Sequence, residues 1–549
     1  MNNKIRFVLY VILTVFVFTP GTHVLGWELA KFPRLANYHI SSEIEGGEAR
    51  FLSGWNLVIL HHSLDDEAQY RYNISRIKHH NPDAILLIYV SSIETNTTVE
   101  PPSRMLEACN RYDWWLRDYQ GNLLYNPDFT WSMLINMTNT EAASGIHPDG
   151  MKPNEYLAGL IITEHVNPND YWDGVFYDTF TDNLTWMYTD IKDANRNDIP
   201  EYDNEFNGQE PKFSALWAAG GRTLLANTLS LKPDVIVIGN GLQKSAVEDL
   251  NGRMLENFTL SSQKNMHLFC STHKYMTDGV RPPRVNIVNC WIKDQDPTDY
   301  QSMRFGLCAT LMTDSYFSCD FGSQYHGETI WYDEYSVRST GEVNARTTTL
   351  STTMTSSQTF VRVESTDGFL DRGVIAIDGE QIYYDSKSGT LFMDCVRGFP
   401  RIATYDLSAP HANGSTVIQH HSDHTGYLGD PSGPAYEAND PSVILDDLLE
   451  AAGWLAGEDD IEEINSRVWR RDFQHGTAMV NPTENSVLVS GLGDSVYCKI
   501  NGIQDPAHNN GELIEHTLTL DPGDGYVLIL AEDPDTIPPF PKHKEPTPP

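Results

Sequence analysis

Two carboxylates in this sequence end apolar runs at positions where a buried strand gains nothing from a charge. Asp178 closes the run that begins at Trp172, and Glu256 follows Met254 and Leu255. A buried carboxylate without a partner costs several kcal/mol, so each one needs either a partner or a function. Two carboxylates that face each other could cleave a glycosidic bond, because this reaction needs one group to protonate the leaving oxygen and another to attack the anomeric carbon or activate water. A salt bridge or a helix N-cap is the structural alternative for either residue.

The surroundings of the two carboxylates suggest different roles for them. Glu256 lies next to Leu255 and close to Phe258, and such an apolar setting raises the pKa of a carboxyl group by desolvation. We therefore predict that Glu256 is the general acid and that Asp178 is the nucleophile or general base, with the exchanged roles as the alternative. The sequence does not give the distance between the two groups, so retaining and inverting chemistry both stay open.

Other polar and aromatic residues at predicted strand ends are candidates for binding a sugar, because flat rings suit pyranose faces and polar groups can bond to hydroxyls. Adjacent His61 and His62 point to opposite faces of a strand, so only one of them can face the site. Ordinary packing is the alternative for the aromatic residues. The predicted substrate-binding residues are Tyr38, His62, Tyr89, Asn240, Trp291 and Asp320.

A calcium site is the only metal site that the spacing of oxygen-bearing side chains favours. Asp193, Asn195 and Asn197 alternate as in a calcium loop. Asp198 replaces the usual glycine and Asn204 the twelfth-position glutamate, so a solvated acidic loop is the alternative. We expect no cofactor to be required for the chemistry. A zinc site is a weaker alternative at His420, His421 and His424.

The sequence predicts that a (β/α)₈ barrel positions these residues, because short apolar strands alternate with longer amphipathic segments. Continuous β-branched strands of this kind are typical of parallel sheets covered by helices. A doubly wound open sheet is the alternative, although no G-x-G-x-x-G follows the first strand. The predicted strands are 35–40, 57–62, 84–90, 174–180, 235–240, 253–257, 285–291 and 316–320.

The rest of the chain divides by composition into three further parts. Residues 338–424 read as a small all-β module inserted into the barrel, with a type I′ hairpin signal at Asp378-Gly379. The barrel, 27–337, is completed by 425–457, which includes a helix within 440–456, so the ends of the module must lie close together. Residues 460–532 read as an antiparallel, β-sandwich-like domain, and 533–549 as a Pro-rich tail.

Charge and the first residues bear on partners and location. The 549 residues include 38 Lys and Arg against 75 Asp and Glu, a net charge of −37, which disfavours nucleic acid as a partner. Residues 1–26 read as a signal peptide: a charged start, a short apolar run and a small-residue end. We therefore expect a secreted or cell-surface protein without a stable membrane span, with an uncleaved anchor as the alternative. The oligomeric state is not predicted.

Six segments of the sequence resemble the "hypothetical glycosyl hydrolase-like" (β/α)₈ barrels, over nearly all of the mature chain except about 338–424. The segments are WDGVFYD (172–178), GRMLENF (252–258), WYDEY (331–335), LGDPSGPA (428–435), VWRRDF (468–473) and DPGDG (521–525).

The resemblance implies a barrel glycosidase with an Asp after strand four and a Glu or Asp after strand six, positions that Asp178 and Glu256 match. It does not imply a particular substrate. The predicted function is a secreted glycoside hydrolase acting on an extracellular polysaccharide or oligosaccharide with two carboxylates. A non-catalytic carbohydrate-binding or surface protein on a degenerate barrel is the alternative.

Overall fold

The structure is a computed structural model, and three of the sequence predictions lie outside the part of the chain that it describes. These are the signal peptide 1–26, the substrate-binding residue His62 and the tail 533–549. The described residues are 29–40, 44, 47–61, 68–98, 103–188, 191–198, 200, 201, 212–241, 244–258, 266–292, 296–321, 326–399, 408–452 and 458–531.

Eight parallel strands form one sheet whose neighbours follow the order of the chain. The sheet closes where Leu35 pairs in parallel with Phe317 of the last strand. The predicted (β/α)₈ barrel is therefore confirmed, and the open sheet is excluded. The strands are β1 (Ala36–His39), β2 (Leu57–His61), β3 (Ile85–Ser91), β4 (Gly174–Asp178), β5 (Ile236–Asn240), β6 (Gly252–Phe258), β7 (Ile287–Trp291) and β8 (Tyr316–Asp320).

The barrel has two cores because side chains alternate across each strand. Inward residues such as Ile59, Leu87 and Ile238 fill the lumen, whereas outward residues such as Val58 and Val237 pack under the helices. The described residues form the helices α1 (Glu48–Leu52), α2 (Ala68–His80), α3 (Arg104–Tyr112), α4 (Pro153–Gly159, continued by a π-helical turn over Leu160–Val166), α5 (Phe213–Leu231), α6 (Met266–Thr277), α7 (Tyr300–Leu311), α8 (Leu445–Ala452) and α9 (Glu458–Asn465). Two short strands, Glu94–Asn96 and Ser132–Leu134, pair in antiparallel orientation on either side of α3 in the chain.

The residues between the eighth strand and α8 include a compact β module. Asp378 and Gly379 both have positive φ, at 50° and 87°, and join two antiparallel strands, so the hairpin forms where the sequence predicts it. The five-stranded sheet consists, in spatial order, of Ala345–Thr349, Thr416–His420, Gly373–Ile377, Glu380–Tyr384 and Val396–Arg397. The three-stranded sheet consists of Val361–Arg362, Leu391–Met393 and Ser386–Ser388.

The last part of the described chain forms an antiparallel sheet that packs on α7. Arg304 of α7 makes a buried bidentate ion pair with Asp524, at 2.9 and 3.0 Å. A side chain at Gly525 would overlap Cys308, so the close approach of this strand to α7 requires glycine at position 525. The seven strands are, in spatial order, Asp440–Ile444, Tyr436–Glu437, Trp469–Phe473, Gly476–Asn481, Asp524–Leu530, Tyr497–Lys499 and Leu513–Ile514, and a separate pair joins Val487–Val489 to Leu518–Leu520.

Two of these strands lie before residue 460, where the sequence places the start of the C-terminal domain. The strands Tyr436–Glu437 and Asp440–Ile444 belong to the C-terminal sheet, and the helix predicted within 440–456 follows them at Leu445–Ala452. Leu445 and Leu449 of that helix are buried in the barrel's outer core. The domain boundaries themselves stay predictions. No helix in the described ranges is both long and apolar enough to span a bilayer.

Candidate active site

The site lies at the carboxyl ends of the barrel strands, where inward-facing positions change from apolar to polar. The same alternation that fills the lumen brings Asp178, Asn240 and Glu256 to the rim from three neighbouring strands, β4, β5 and β6. Two residues earlier on the same strands lie lumen residues: Phe176, Ile238 and Met254. The carboxyl ends of barrel strands are where such enzymes carry their active sites.

Asp178 accepts hydrogen bonds from three donors. The Tyr89 hydroxyl donates to Oδ2 at 2.6 Å, and the Asn240 amide donates to Oδ1 at 2.9 Å. The backbone N–H of Thr179 also donates to Oδ1, at 2.7 Å. Hydrogen bonds to the charged form favour a carboxylate over the neutral acid. These three bonds fix the position and orientation of the Asp178 carboxylate.

Glu256 lies beside Asp178 because one amide group contacts both residues. Asn240 Nδ2 donates to Glu256 Oε2 at 3.0 Å and to Asp178 Oδ1 at 2.9 Å. These two carboxylate oxygens are therefore within about 6 Å of each other. Retaining glycosidases place their two carboxyl groups roughly 5–5.5 Å apart and inverting enzymes roughly 6.5–9.5 Å apart. The upper limit of about 6 Å lies below the inverting range and close to the retaining one.

Glu256 has the properties of a proton donor. Burial raises the pKa of this carboxyl to about 7, and the nearby charge of Asp178 adds to the rise, whereas His326 and Asn240 act against it. At neutral and mildly acidic pH a large fraction of Glu256 is therefore protonated. An acid near the operating pH beside an anionic carboxylate is the division of labour that glycosidic cleavage requires.

His326 contacts Glu256 from the loop that follows β8. Its Nε2 lies 3.4 Å from Glu256 Oε1, and its Nδ1 lies 2.6 Å from Asp320 Oδ2. Burial acts to lower the pKa of His326, but Asp320 and Glu256 outweigh burial and raise it to about 9. The protonated imidazole therefore connects Glu256 to Asp320.

Buried residues below His326 fix its position. Asn289 Nδ2 donates to Asp320 Oδ2 at 2.8 Å, so it orients the carboxylate that holds the imidazole. The Tyr38 ring stacks on the imidazole with centroids 4.2 Å apart. Tyr38 and Asp320 are only 4% and 3% exposed. The structure thus places these two predicted substrate-binding residues as supports beneath the site rather than as surfaces open to a sugar.

The chain turns sharply directly after the polar rim residues. Thr179 and Asn257, which follow Asp178 and Glu256, have φ values of 55° and 59°. Left-handed backbone is unfavourable for a β-branched residue such as Thr179, and conformations of this kind cluster at functional sites. In β6 the register with β7 also shifts between Leu255 and Phe258, a bulge that redirects the side chains at the strand end.

The remaining predicted binding residues lie at different places around the rim. Tyr89 contacts Asp178 directly, and Trp291 is half-buried at the end of β7. His61, the alternative to His62, stacks on the Tyr89 ring with centroids 5.4 Å apart and so lies on the site side of its strand. Tyr177, which precedes Asp178, points outward and its hydroxyl shares a hydrogen bond with that of Thr228 of α5, because successive side chains of a strand point to opposite faces.

The predicted calcium loop is closed by bonds within the chain. Asp193 accepts from the backbone N–H groups of Asn197 and Asp198 at 3.1 and 2.9 Å. Glu201 accepts from the N–H groups of Ala194 and Asn195. Within the described residues, no group of three or more His, Cys, Asp or Glu side chains is arranged to hold a metal. Calcium at Asp193, Asn195 and Asn197 stays a prediction.

Three site residues were not identified from the sequence: Asn289, His326 and Glu328. Asn289 carries a readable signal, since it is a polar residue at an inward position of an otherwise apolar strand. His326 and Glu328 follow the eighth strand in a loop, where neither period 2 nor period 3.6 assigns a direction to a side chain. Burial raises the pKa of Glu328 to about 8, and its carboxyl accepts from the N–H groups of Phe321 and Gly327.

The family comparison covers the part of the chain that carries both carboxylates. Residues 78–345 match hypothetical glycosyl hydrolase family 15. The resemblance predicted from the sequence is thereby confirmed over these residues, just under half of the chain. The matched range contains Asp178, Asn240, Glu256 and His326.

Similar solved structures include several glycoside hydrolases. The glycoside hydrolase domain of PelA from Pseudomonas aeruginosa is 12% identical, with 52% of this chain and 94% of that domain covered and a TM-score of 0.31. Eubacterium rectale Amy13B is 10% identical, with 92% and 96% covered and a TM-score of 0.41. An Anoxybacillus α-amylase is 9% identical, with 88% of each chain covered and a TM-score of 0.35. The comparison with curated proteins found no match.

Proposed function

We propose that this protein is a secreted glycoside hydrolase that cleaves an extracellular polysaccharide or oligosaccharide by a retaining, two-carboxylate mechanism. The observation that carries the proposal is the Asn240 amide, which bonds to Asp178 and Glu256 at once and holds the pair within about 6 Å on the barrel rim. The family match over residues 78–345 supports the same reaction class.

In the first step, Asp178 attacks the anomeric carbon of the bound sugar while the glycosidic C–O bond breaks. Glu256 gives its proton to the departing oxygen, so the leaving group departs as a neutral alcohol. The product of this step is a glycosyl ester on Asp178 and an ionised Glu256. Protonated His326, 3.4 Å from Glu256 Oε1, stabilises the new negative charge.

In the second step, Glu256 takes a proton from water as the water oxygen attacks the anomeric carbon. The ester bond to Asp178 breaks, the sugar leaves with its original anomeric configuration, and both carboxyl groups return to their starting states. Asn240 donates a hydrogen bond to each carboxylate and so fixes their relative positions during the catalytic cycle. Export of the protein is part of the proposal and rests on the signal-like residues 1–26.

A screen of hydrolysis on a polysaccharide and oligosaccharide panel tests the proposal. The mature chain is incubated with neutral and acidic glycans, and new reducing ends are measured. A matched control is Asp170→Asn, which removes an exposed carboxylate shortly before β4. We expect release from at least one glycan by the wild type and by the control. Binding of a glycan without release of reducing ends would instead indicate the non-catalytic carbohydrate-binding alternative.

A further inference from the structure

A pocket lies on the flank of the barrel, between α1, α2 and the inserted β module. Its volume is about 350 Å³, within the roughly 300–1,000 Å³ of small-ligand sites. Arg50 of α1 and Arg76 of α2 line one wall, and Arg372 and His421 line the other. Arg76 is near the end of a helix that runs back toward the amino ends of the strands. The described residues that line the pocket include none of the carboxylate-site residues, so the pocket is distinct from that site.

Both walls of the pocket are fixed by packing between barrel and module. The half-buried Phe51 of α1 packs with Val374, Tyr383 and Phe399 of the module. A side chain at Gly47 would overlap the Tyr383 ring, so the two parts are in close contact beside the pocket. The cavity is thus a preformed space with one wall from each part of the chain.

The pocket is rich in cations in a protein whose net charge is −37. Among the described residues, the guanidinium groups of Arg50 and Arg76 have no carboxylate partner. Arg372 is 3.6 Å from Asp385, an exposed and hence weak pair. Among the described lining residues, the one carboxylate is that of Asp423, which accepts a hydrogen bond from the Asn344 amide. Unpaired arginines on an acidic surface provide a local field that attracts anions.

Two polar atoms in the lining are buried and lack a hydrogen-bond partner within the described parts of the chain. They are Nε of Arg76 and Nε2 of His421. Buried polar groups are almost always satisfied, so such atoms beside a cavity indicate a ligand or water that completes them. Arg76 also donates to His80 and to the Tyr72 hydroxyl, bonds that hold its guanidinium in place.

We propose that this pocket is a second carbohydrate-binding site, specific for a saccharide that carries a carboxylate or sulfate group. Arg50 and Arg76 bind the anionic group, and the rest of the cavity accommodates the sugar ring. Arginine suits this role because its planar fork matches the oxygens of carboxylate and sulfate. Binding of an anion in the pocket is independent of the proposed hydrolysis. The inference that the anion is part of a saccharide rests on the proposed function.

Calorimetric titration of the full chain tests this assignment with three probes: inorganic sulfate, an acidic oligosaccharide (uronic or sulfated) and a neutral oligosaccharide of equal length. Catalysis is silenced with Glu256→Gln throughout, so binding is measured without cleavage. The variants are Arg50→Gln, which alters an exposed side chain, and Arg50→Gln/Arg76→Gln. The control is Arg222→Gln, an exposed arginine on α5.

We expect the acidic oligosaccharide to bind at least about tenfold more tightly than the neutral one, and the affinity to weaken with salt. Each Arg→Gln change should reduce it about tenfold, whereas Arg222→Gln should not. Equal binding by the Arg50→Gln chain and its parent would overturn the site. Binding of sulfate without preference for the acidic saccharide would overturn the carbohydrate assignment. Neither result depends on whether the wild type hydrolyses any glycan.

Discussion

The two carboxyl groups at the rim, Asp178 and Glu256, have different environments because their neighbouring residues differ. Asp178 receives a hydroxyl, an amide and a backbone N–H, each of which favours its anionic form. Burial raises the pKa of Glu256 to about 7, so a large fraction of this residue is protonated near neutral pH. Local environment thus gives one residue the role of nucleophile and the other the role of acid.

The role assignment predicts that the two variants respond differently to the leaving group. Asp178→Asn and Glu256→Gln should each lower turnover on the natural glycan by at least roughly 100-fold, with a normal melting midpoint. On a substrate with an activated leaving group, Glu256→Gln should recover much of its rate, because little protonation is needed. Asp178→Asn should not recover. If Asp178→Asn is the variant that recovers, the roles are exchanged.

His326 predicts a shift in the pH profile. Its positive charge lowers the pKa of Glu256, so His326→Gln should raise that pKa and move the alkaline limb of kcat/KM to higher pH. The limb should lie near pH 7 in the wild type, since activity is lost as Glu256 loses its proton. In the Glu256→Gln background, His326→Gln should leave the pH profile of kcat/KM unchanged. An unchanged limb in the single variant would show that His326 does not influence Glu256.

The sequence predicts part of this site for an identifiable reason. Asp178, Asn240 and Glu256 each end an apolar strand, so strand position and period-2 alternation suffice to bring them to one rim. His326 lies outside the strands, and its contact with Glu256 depends on the packing of residues 326–328 against β1. Tyr38 and Asp320 lie at the correct strand ends, but only packing shows that His326 covers them.

At the level of secondary-structure elements, the sequence patterns do not predict the contact between the barrel and the inserted module. The ends of the module do lie close together, since Asn344 bonds to the His421 carbonyl and to Asp423. The module also packs on Phe51, and His420 bonds to the buried Asp333 at 2.9 Å. A hairpin signal can predict the turn at 378–379, but the surface that a module covers is not encoded in its own periodicity.

Deletion of the module should therefore lower the melting midpoint but not the solubility of the protein. A chain that joins Val337 to Gly426 should stay soluble, because surface insertions add little loop entropy, but its melting midpoint should fall as Phe51 and Asp333 lose partners. Phe51→Ala should destabilise the full chain by about 1–3 kcal/mol and the deleted chain by less. Aggregation of the deleted chain alone would show that the module is integral to the barrel.

Across the whole molecule, buried carboxyl groups link stability to pH. Burial raises the pKa of four glutamates to about 7 and of Glu328 to about 8; the four are Glu94, Glu201, Glu256 and Glu334. An unfolded glutamate titrates near 4.3, so the folded state binds more protons between these values. Stability contributed by these groups is therefore lost as the pH rises toward 7 and 8. His326, raised to about 9, acts in the same direction above pH 6.5.

We expect the unfolding midpoint to be higher at pH 6.5 than at pH 8.5 at equal ionic strength. Glu328 should contribute to this difference, because its pKa is raised to about 8 and it releases its proton within this range. The buried His273 and His508, whose pKa values burial lowers to about 4 and 2, oppose this trend only below pH 6.5. Glu328→Gln should flatten the dependence. A midpoint that rises from pH 6.5 to 8.5 would contradict the link.

The central claim is that Asp178 and Glu256 act together in one glycosidic cleavage. The most direct test measures hydrolysis of the glycan found in the panel by the wild type, Asp178→Asn, Glu256→Gln and the double variant. Residues that act as a unit are non-additive, so we predict a loss of at least roughly 100-fold in each single variant and a double variant little worse than the poorer single one. Near-full activity in either single variant would contradict the claim.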